Sequence, residues 1–295
     1  MVTGAKDLTP IELNRLHPVI GTEVRGFSIA DPGDGHRIDE IKRAWLEHPV
    51  LVFREQPICD TDQIRFARHF GELEIHPSLA HQASGHPEIY RVSNVDEAGN
   101  ILPDKSNEWL YLNLTWLWHS DSTFREIPSK GSILHGIEIL KNGGDTLFAN
   151  MVMAYEALPE AMKERLSGLI AINSSAKDHV AKSREDRQKD MDDVPEPLSA
   201  EHPAVRTHPE TGLKSLYVNR GHTVGFKGMA EDESAPLLEE LFEHQTRGEF
   251  TCRFQWRPGS IAFWDNRSAQ HNPINDYHGH KRVMHRITLA GDVPV

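Results

Sequence analysis

Apolar residues recur at helical spacing through Ile38–Leu46 (IDEIKRAWL), and Pro49 closes the run. Val50–Phe53 (VLVF) then places four apolar residues in a row, the pattern of a strand buried on both faces. Asp60–Gly71 opens on a capping residue and ends at glycine, which predicts an amphipathic helix between them. Past residue 110 strands dominate. Ile133–Leu140 and Thr146–Ala149 flank a Gly143-Gly144 turn, while Leu213–Val218, Thr251–Trp256, Ser260–Trp264 and Val283–Ala290 are strand-like. Two helices, Met153–Leu166 and Leu237–His244, are set among them. Lys182–Pro203 (KSREDRQKDMDDVPEPLSAEHP) breaks the pattern, being charged, proline-bearing and almost free of large apolar residues. It is expected to be an exposed loop, either a solvated insertion or a lid over a site.

Composition narrows the classes. The 295 residues suit one large domain or two modest ones, and no repeat or Gly/Ser linker divides them. No apolar run reaches the roughly 18 residues of a membrane helix, and the start lacks the basic-then-apolar order of a signal peptide. Cys59 and Cys252 are too few for a disulfide framework, so a reducing cytoplasm is expected. A net charge of −12 argues against wrapping nucleic acid, although a small anion can still be met by local arginines. The chain also carries 18 histidines, so that any single histidine motif needs support from elsewhere.

Trp118-His119-Ser120-Asp121 contains a His-x-Asp pair, whose side chains would share one face if the segment were a strand. Two histidines and one carboxylate with open positions suit non-haem Fe(II). His208-Pro-Glu210 offers a competing pair, but the Thr211-Gly212 that follows makes a turn the simpler expectation. His278-Gly-His280 is expected to be solvated in a glycine-rich loop, and Phe263 and Trp264 to be core. Further along, Phe263-Trp-Asp-Asn-Arg267 follows an apolar strand and leads to His271. Arg282 and Arg286 come next, an even number apart, so a strand would turn both to one side. A buried arginine is costly unless its fork meets a carboxylate, so the pair implies organic anions bound beside the metal candidates.

Taken together, His119-Ser-Asp-Ser-Thr-Phe124, Gly143-Gly-Asp-Thr146, Trp264-Asp-Asn-Arg267 with His271, and Arg282 with Arg286 resemble the taurine dioxygenase and 2,4-dichlorophenoxyacetate dioxygenase family. The resemblance begins at Gly21-Thr-Glu-Val-Arg-Gly26, passes through Val50–Arg54 and Phe66–Gly71, and ends in the last strand. It implies one domain over residues 1–295, mainly β with flanking helices, folded as a double-stranded β-helix (a cupin-like jelly-roll). The same resemblance implies Fe(II)- and 2-oxoglutarate-dependent oxygenation by O2, with release of succinate and CO2. His119, Asp121 and His271 would hold the iron. Arg282 would pair with the distal carboxylate of 2-oxoglutarate, helped by Thr146, and Arg286 would sit between its chelating end and the substrate's anionic end. His76, in Glu74-Ile-His-Pro77, matches a histidine that holds the substrate anion in family members.

The expected substrate is a small organic anion, with self-association into a homo-oligomer as is common in the family. Two branches of the family compete for it. Ser120 and Ser122 look closer to the aryloxyacetate branch, and Thr115 stands where taurine-type enzymes carry an asparagine. The tail His285–Asp292 looks more like the taurine and alkylsulfate branch. Aryloxyalkanoate hydroxylation followed by cleavage is therefore the leading expectation. The alternatives are a taurine, alkylsulfonate or alkylsulfate dioxygenase, or a biosynthetic hydroxylase or desaturase of the same family.

Overall fold

The structure is a computed structural model that describes residues 9–75, 82–96, 98–103, 117–177 and 197–295. Its largest sheet has eight strands in the order β1 (Glu12–Arg15), β2 (Thr22–Arg25), β3 (Val50–Phe53), β14 (Ile261–Asp265), β6 (Gly131–Glu138), β16 (Val283–Leu289), β5 (His86–Arg91) and β4 (Gln82–Ala83). A three-stranded sheet has β7 (Thr146–Asn150) between β13 (Thr251–Phe254) and β15 (Ala269–Pro273). Another places β8 (Ile170–Ser174) between β12 (Thr223–Phe226) and β9 (Ser199–Pro203), and β10 (Val205–Thr207) pairs with β11 (Lys214–Leu216).

The centre of the large sheet is covered on both faces, and the alternation of side chains shows how. Leu51, Phe53, Ile133, Ile261, Phe263 and Ile287 join α1 (Gly35–Glu47) and α2 (Asp60–Ala67) in one core cluster. Val50, Val52, Leu134, Ala262, Trp264 and Met284, on the same strands at odd spacings from them, point the other way onto Phe148 and Phe254 of the smaller sheet. With period-2 side chains, strands apolar at every position can only be buried twice. Trp45 of α1 stacks on Phe263 with centroids 4.3 Å apart, so Phe263 and Trp264 are core, as expected. A third cluster lies under α3 (Met151–Glu156) and α5 (Glu231–Gln245), against β8, β11 and β12.

Several expected elements take other bounds. The helix expected over Met153–Leu166 is two, α3 and α4 (Glu160–Leu166), because the proline ring of Pro159 cannot continue α3. Asn150 starts α3 by accepting the backbone N–H groups of Val152 and Met153, each at 3.1 Å. α5 begins six residues before Leu237, its first turn rich in Glu231, Asp232 and Glu233, which suit the positive end of the helix dipole. The expected loop 182–203 is also too long. Ser199–Pro203 pairs with β8 along its whole length, while residues 182–196 lie outside the described ones. No helix among the described residues is long and apolar enough to cross a membrane.

Candidate active site

His119 and His271 sit on segments joined by an isolated antiparallel bridge, where each backbone N–H donates to the other's carbonyl at 3.0 and 2.9 Å. His271 belongs to β15. Asp121 lies in a turn rather than on a strand, followed by Ser122 at φ +59°, so the shared-face argument for His-x-Asp is replaced by turn geometry. The outcome is still convergent. Asp121 Oδ1 lies 4.0 Å from Nε2 of His119 and 4.0 Å from Nε2 of His271. All three residues are buried, and they are the only such group of potential metal ligands among the described residues.

Local contacts prepare each of these side chains. The Nδ1 of His119 donates to the Leu117 carbonyl at 2.7 Å, which leaves the Nε2 lone pair facing inward. Gly221 lets the chain pass this close: a Cβ there would lie 2.9 Å from Cβ of His119. The His271 ring packs against Trp264 and Phe148, and burial, reinforced by the His119 ring, lowers its pKa to about 3. Burial likewise lowers the pKa of His119. Both imidazoles are therefore neutral at pH 7, the form that ligates. The Asp121 carboxyl is held well below the usual range even though burial opposes ionisation, because the Arg286 guanidinium and the Ser132 hydroxyl favour the anion. A neutral, neutral, anionic set around one buried point fits a divalent transition metal.

Two arginines adjoin this set. Arg286 on β16 donates to Asp121 Oδ1 at 3.0 Å, its guanidinium 4.9 Å from the Tyr90 ring centre. Arg282, just before the strand, is buried, donates to the Gly144 carbonyl at 3.2 Å and lies against Tyr277. Its Nε has no hydrogen-bond partner, and no carboxylate among the described residues forms an ion pair with it. Burial accordingly lowers its pKa. Thr146, at the start of β7, is buried, and its hydroxyl accepts from Trp256 Nε1 at 3.0 Å, leaving its own proton to give. A small cavity lined by Glu74, Ile75, Tyr90, Ser122, Arg125 and Arg286 opens beside Asp121, and Arg125 is paired with Glu74 at 2.9 Å.

His76 and Thr115 lie outside the described residues. His208 and Glu210 are not at the metal candidates: His208 Nε2 meets Asp265 Oδ2 at 3.0 Å, and Glu210 takes Arg267 at 2.6 Å across a turn. His278 and His280 are exposed, as expected. Sequence reasoning missed Ser132 and Asn266, both hydrogen-bonded to Asp121 Oδ2. Asn266 stood in a quoted motif without a role, and nothing in the sequence near Ser132 pointed to it.

A family model described as "Taurine catabolism dioxygenase TauD, TfdA family" matches residues 11–288. The chain belongs to the TauD/TfdA family. One curated relative of this TauD/TfdA member is the alkylsulfatase of Acinetobacter baylyi, 37% identical over 96% of this chain and 86% of the relative. Another is the alpha-ketoglutarate-dependent 2,4-dichlorophenoxyacetate dioxygenase of Cupriavidus pinatubonensis, 32% identical over 96% and 98% respectively. A taurine dioxygenase from Burkholderia xenovorans superposes with a TM-score of 0.79 at 35% identity, covering 97% of this chain and 91% of that one. This TauD/TfdA chain is thus an oxidoreductase, a dioxygenase that uses Fe(II), 2-oxoglutarate (alpha-ketoglutarate) and O2.

Proposed function

We propose that this dioxygenase hydroxylates a small organic anion at a carbon bearing an oxygen-linked leaving group. The observation that carries this reading is the pair of arginines beside the triad, one on Asp121 and one buried without a carboxylate. His119, Asp121 and His271 would hold the iron. When bound, iron with 2-oxoglutarate and O2 supplies the oxidising equivalent, and 2-oxoglutarate leaves as succinate and CO2. Arg282, whose Nε is unpartnered and whose guanidinium meets no carboxylate among the described residues, receives the distal carboxylate of 2-oxoglutarate, with the Thr146 hydroxyl as second donor. Arg286, together with His76, orients the substrate anion so that one carbon faces the metal. Positioning is the protein's main contribution, since so strong an oxidant attacks whichever C–H bond it reaches.

Two anion classes fit this chemistry. An aryloxyalkanoate hydroxylated next to its ether oxygen collapses to a carbonyl compound and a phenol, and Ser120 and Ser122 support this reading. An alkyl sulfate hydroxylated at the ester carbon collapses to an aldehyde and sulfate, and the 37% identical alkylsulfatase supports that one. Alkyl sulfates, aryloxyacetates, aryloxypropionates and taurine should be offered with Fe(II) and 2-oxoglutarate. Succinate is expected in step with phenol or with sulfate. Sulfite from taurine, or succinate that no anion accelerates, would overturn the reading.

The two facing sheets and their shared core support a double-stranded β-helix in a single domain. Two free cysteines accord with a reducing cytoplasm.

A further inference from the structure

We propose that Ser132 and Asn266 are positioning residues that keep Asp121 a one-oxygen metal ligand. The inference rests on the reading of Asp121 as a ligand. Oδ2 of Asp121 accepts from Ser132 Oγ at 2.7 Å and from Asn266 Nδ2 at 3.3 Å. Oδ1 faces both Nε2 atoms and accepts from Arg286 at 3.0 Å. The amide of Asn266 cannot turn over without loss, because its Oδ1 already accepts two N–H groups. These are the backbone of Asp121 at 3.2 Å and Trp264 Nε1 at 3.0 Å. Its NH2 end must then point at the carboxylate.

The placement in the fold matters as much as the bonds. Asp121 is in a turn, but Ser132 is on β6 and Trp264 on β14, register partners at the centre of the large sheet. Two paired strands at the centre of the large sheet thus set the orientation of a carboxylate on an irregular segment. The count of coordination positions explains why this is useful. Two histidines and one carboxylate oxygen leave three of six positions open, enough for a chelating 2-oxo acid and O2. A carboxylate binding through both oxygens would leave two.

The test is Co(II) titration of the metal-free protein, followed by visible absorption, with thermal unfolding measured in parallel without metal. Ser132→Ala and Asn266→Ala should weaken Co(II) binding about 10- to 100-fold. Trp264→Phe, which removes the donor that orients the amide and trims the ring packed on His271, should weaken it less but measurably. The loss of ring packing is read separately from the parallel unfolding temperature. A purely structural role would instead lower the unfolding temperature and leave Co(II) affinity of the folded protein at the wild-type value. Affinity within twofold of wild type in Ser132→Ala and Trp264→Phe overturns the proposal, and these two decide it if Asn266→Ala does not fold. Asp121→Ala separates the two levels of the argument. Wild-type Co(II) affinity in that variant defeats the ligand assignment itself, whereas lost binding there with normal binding in the others defeats only the clamp.

Discussion

His119 and His271 hold each other through their backbones: the two hydrogen bonds of the bridge use no side-chain atom, yet bring the ring centroids to 4.2 Å. Structure and ligation are therefore separable at these positions. In His119→Ala or His271→Ala the bridge should persist and far-UV circular dichroism should be unchanged. Fe(II)-dependent succinate formation should disappear. Retained coupled turnover in either variant would exclude that histidine as a ligand.

Arg282→Ala should raise the KM for 2-oxoglutarate far more than it changes iron binding. Removing one side of a buried, hydrogen-bonded ion pair costs about 2–5 kcal/mol, a rise of roughly 30-fold or more. Arg282→Lys should recover only part of this, since an ammonium lacks the fork that meets both carboxylate oxygens. Steady-state kinetics at varied 2-oxoglutarate decides it, and an unchanged KM in Arg282→Ala removes the assignment.

Gly144→Ala tests the same pocket from its other wall. Gly144 sits at φ +67°, and a Cβ there would lie 3.0 Å from Arg282 Nε. The left-handed backbone costs an alanine about 1 kcal/mol or more, and the new methyl must displace the guanidinium. A several-fold rise in the 2-oxoglutarate KM is expected alongside a modest fall in Tm. A fall in Tm with normal KM would place Arg282 away from the cosubstrate.

Arg267 is buried and bidentate to Asp265 at 2.8 and 2.7 Å, with Glu210 at 2.6 Å and Trp45 beneath it. Arg267→Ala leaves Asp265 buried with only His208 and the backbone as partners, and should cost about 3–5 kcal/mol. Denaturant unfolding measures this. A cost under about 1 kcal/mol would show that the network is not what fixes the turn after β14.

His135 predicts an acid limb. Burial, and then His285 opposite it on β16, lower its pKa to about 4, although Asp60 pulls the other way. The unfolded chain therefore binds this proton below about pH 6.5 while the folded protein refuses it until about pH 4. Stability should fall as pH drops through that window, by a contribution on the order of 3 kcal/mol once both states are protonated. His135→Leu should flatten the slope of metal-free stability between pH 6.5 and 4. An unchanged slope would assign the acid sensitivity elsewhere.

What the sequence disclosed was chemistry more than geometry. Val50–Phe53 and most of Ser260–Trp264 (β14 runs Ile261–Asp265) were legible because the stretch Ile261–Trp264, like Val50–Phe53, has no polar position to confuse the pattern. Ser199–Pro203 was not, since SAEHP has almost no apolar content and becomes a strand only by pairing with β8. β1 escaped for a related reason: all four of its residues are exposed. In the site, His119, Asp121 and His271 stood out through the family resemblance, since a His-x-Asp pair alone says little in a chain with 18 histidines. Ser132 did not, because a lone serine in a strand acquires meaning only when another segment lays a carboxylate against it.

The order of strands also dictates when this molecule can come into being. β3 pairs with β2 on one side, but its other partner, β14, is made only after β4 through β13. β16, which carries Arg286, fits between β6 and β5 and is made later still. The large sheet stays split during elongation, with the apolar edges of β3 and β6 waiting for strands not yet emerged. Such distant pairings are slow to form and leave sticky edges uncovered meanwhile. A nascent chain would thus gain His271 and its anion-binding arginines only after His119, Asp121 and the strands around them have emerged. Until His271 emerges on β15 the chain carries two of its three candidate metal ligands, and until the segment through β16 follows it carries neither of the two arginines.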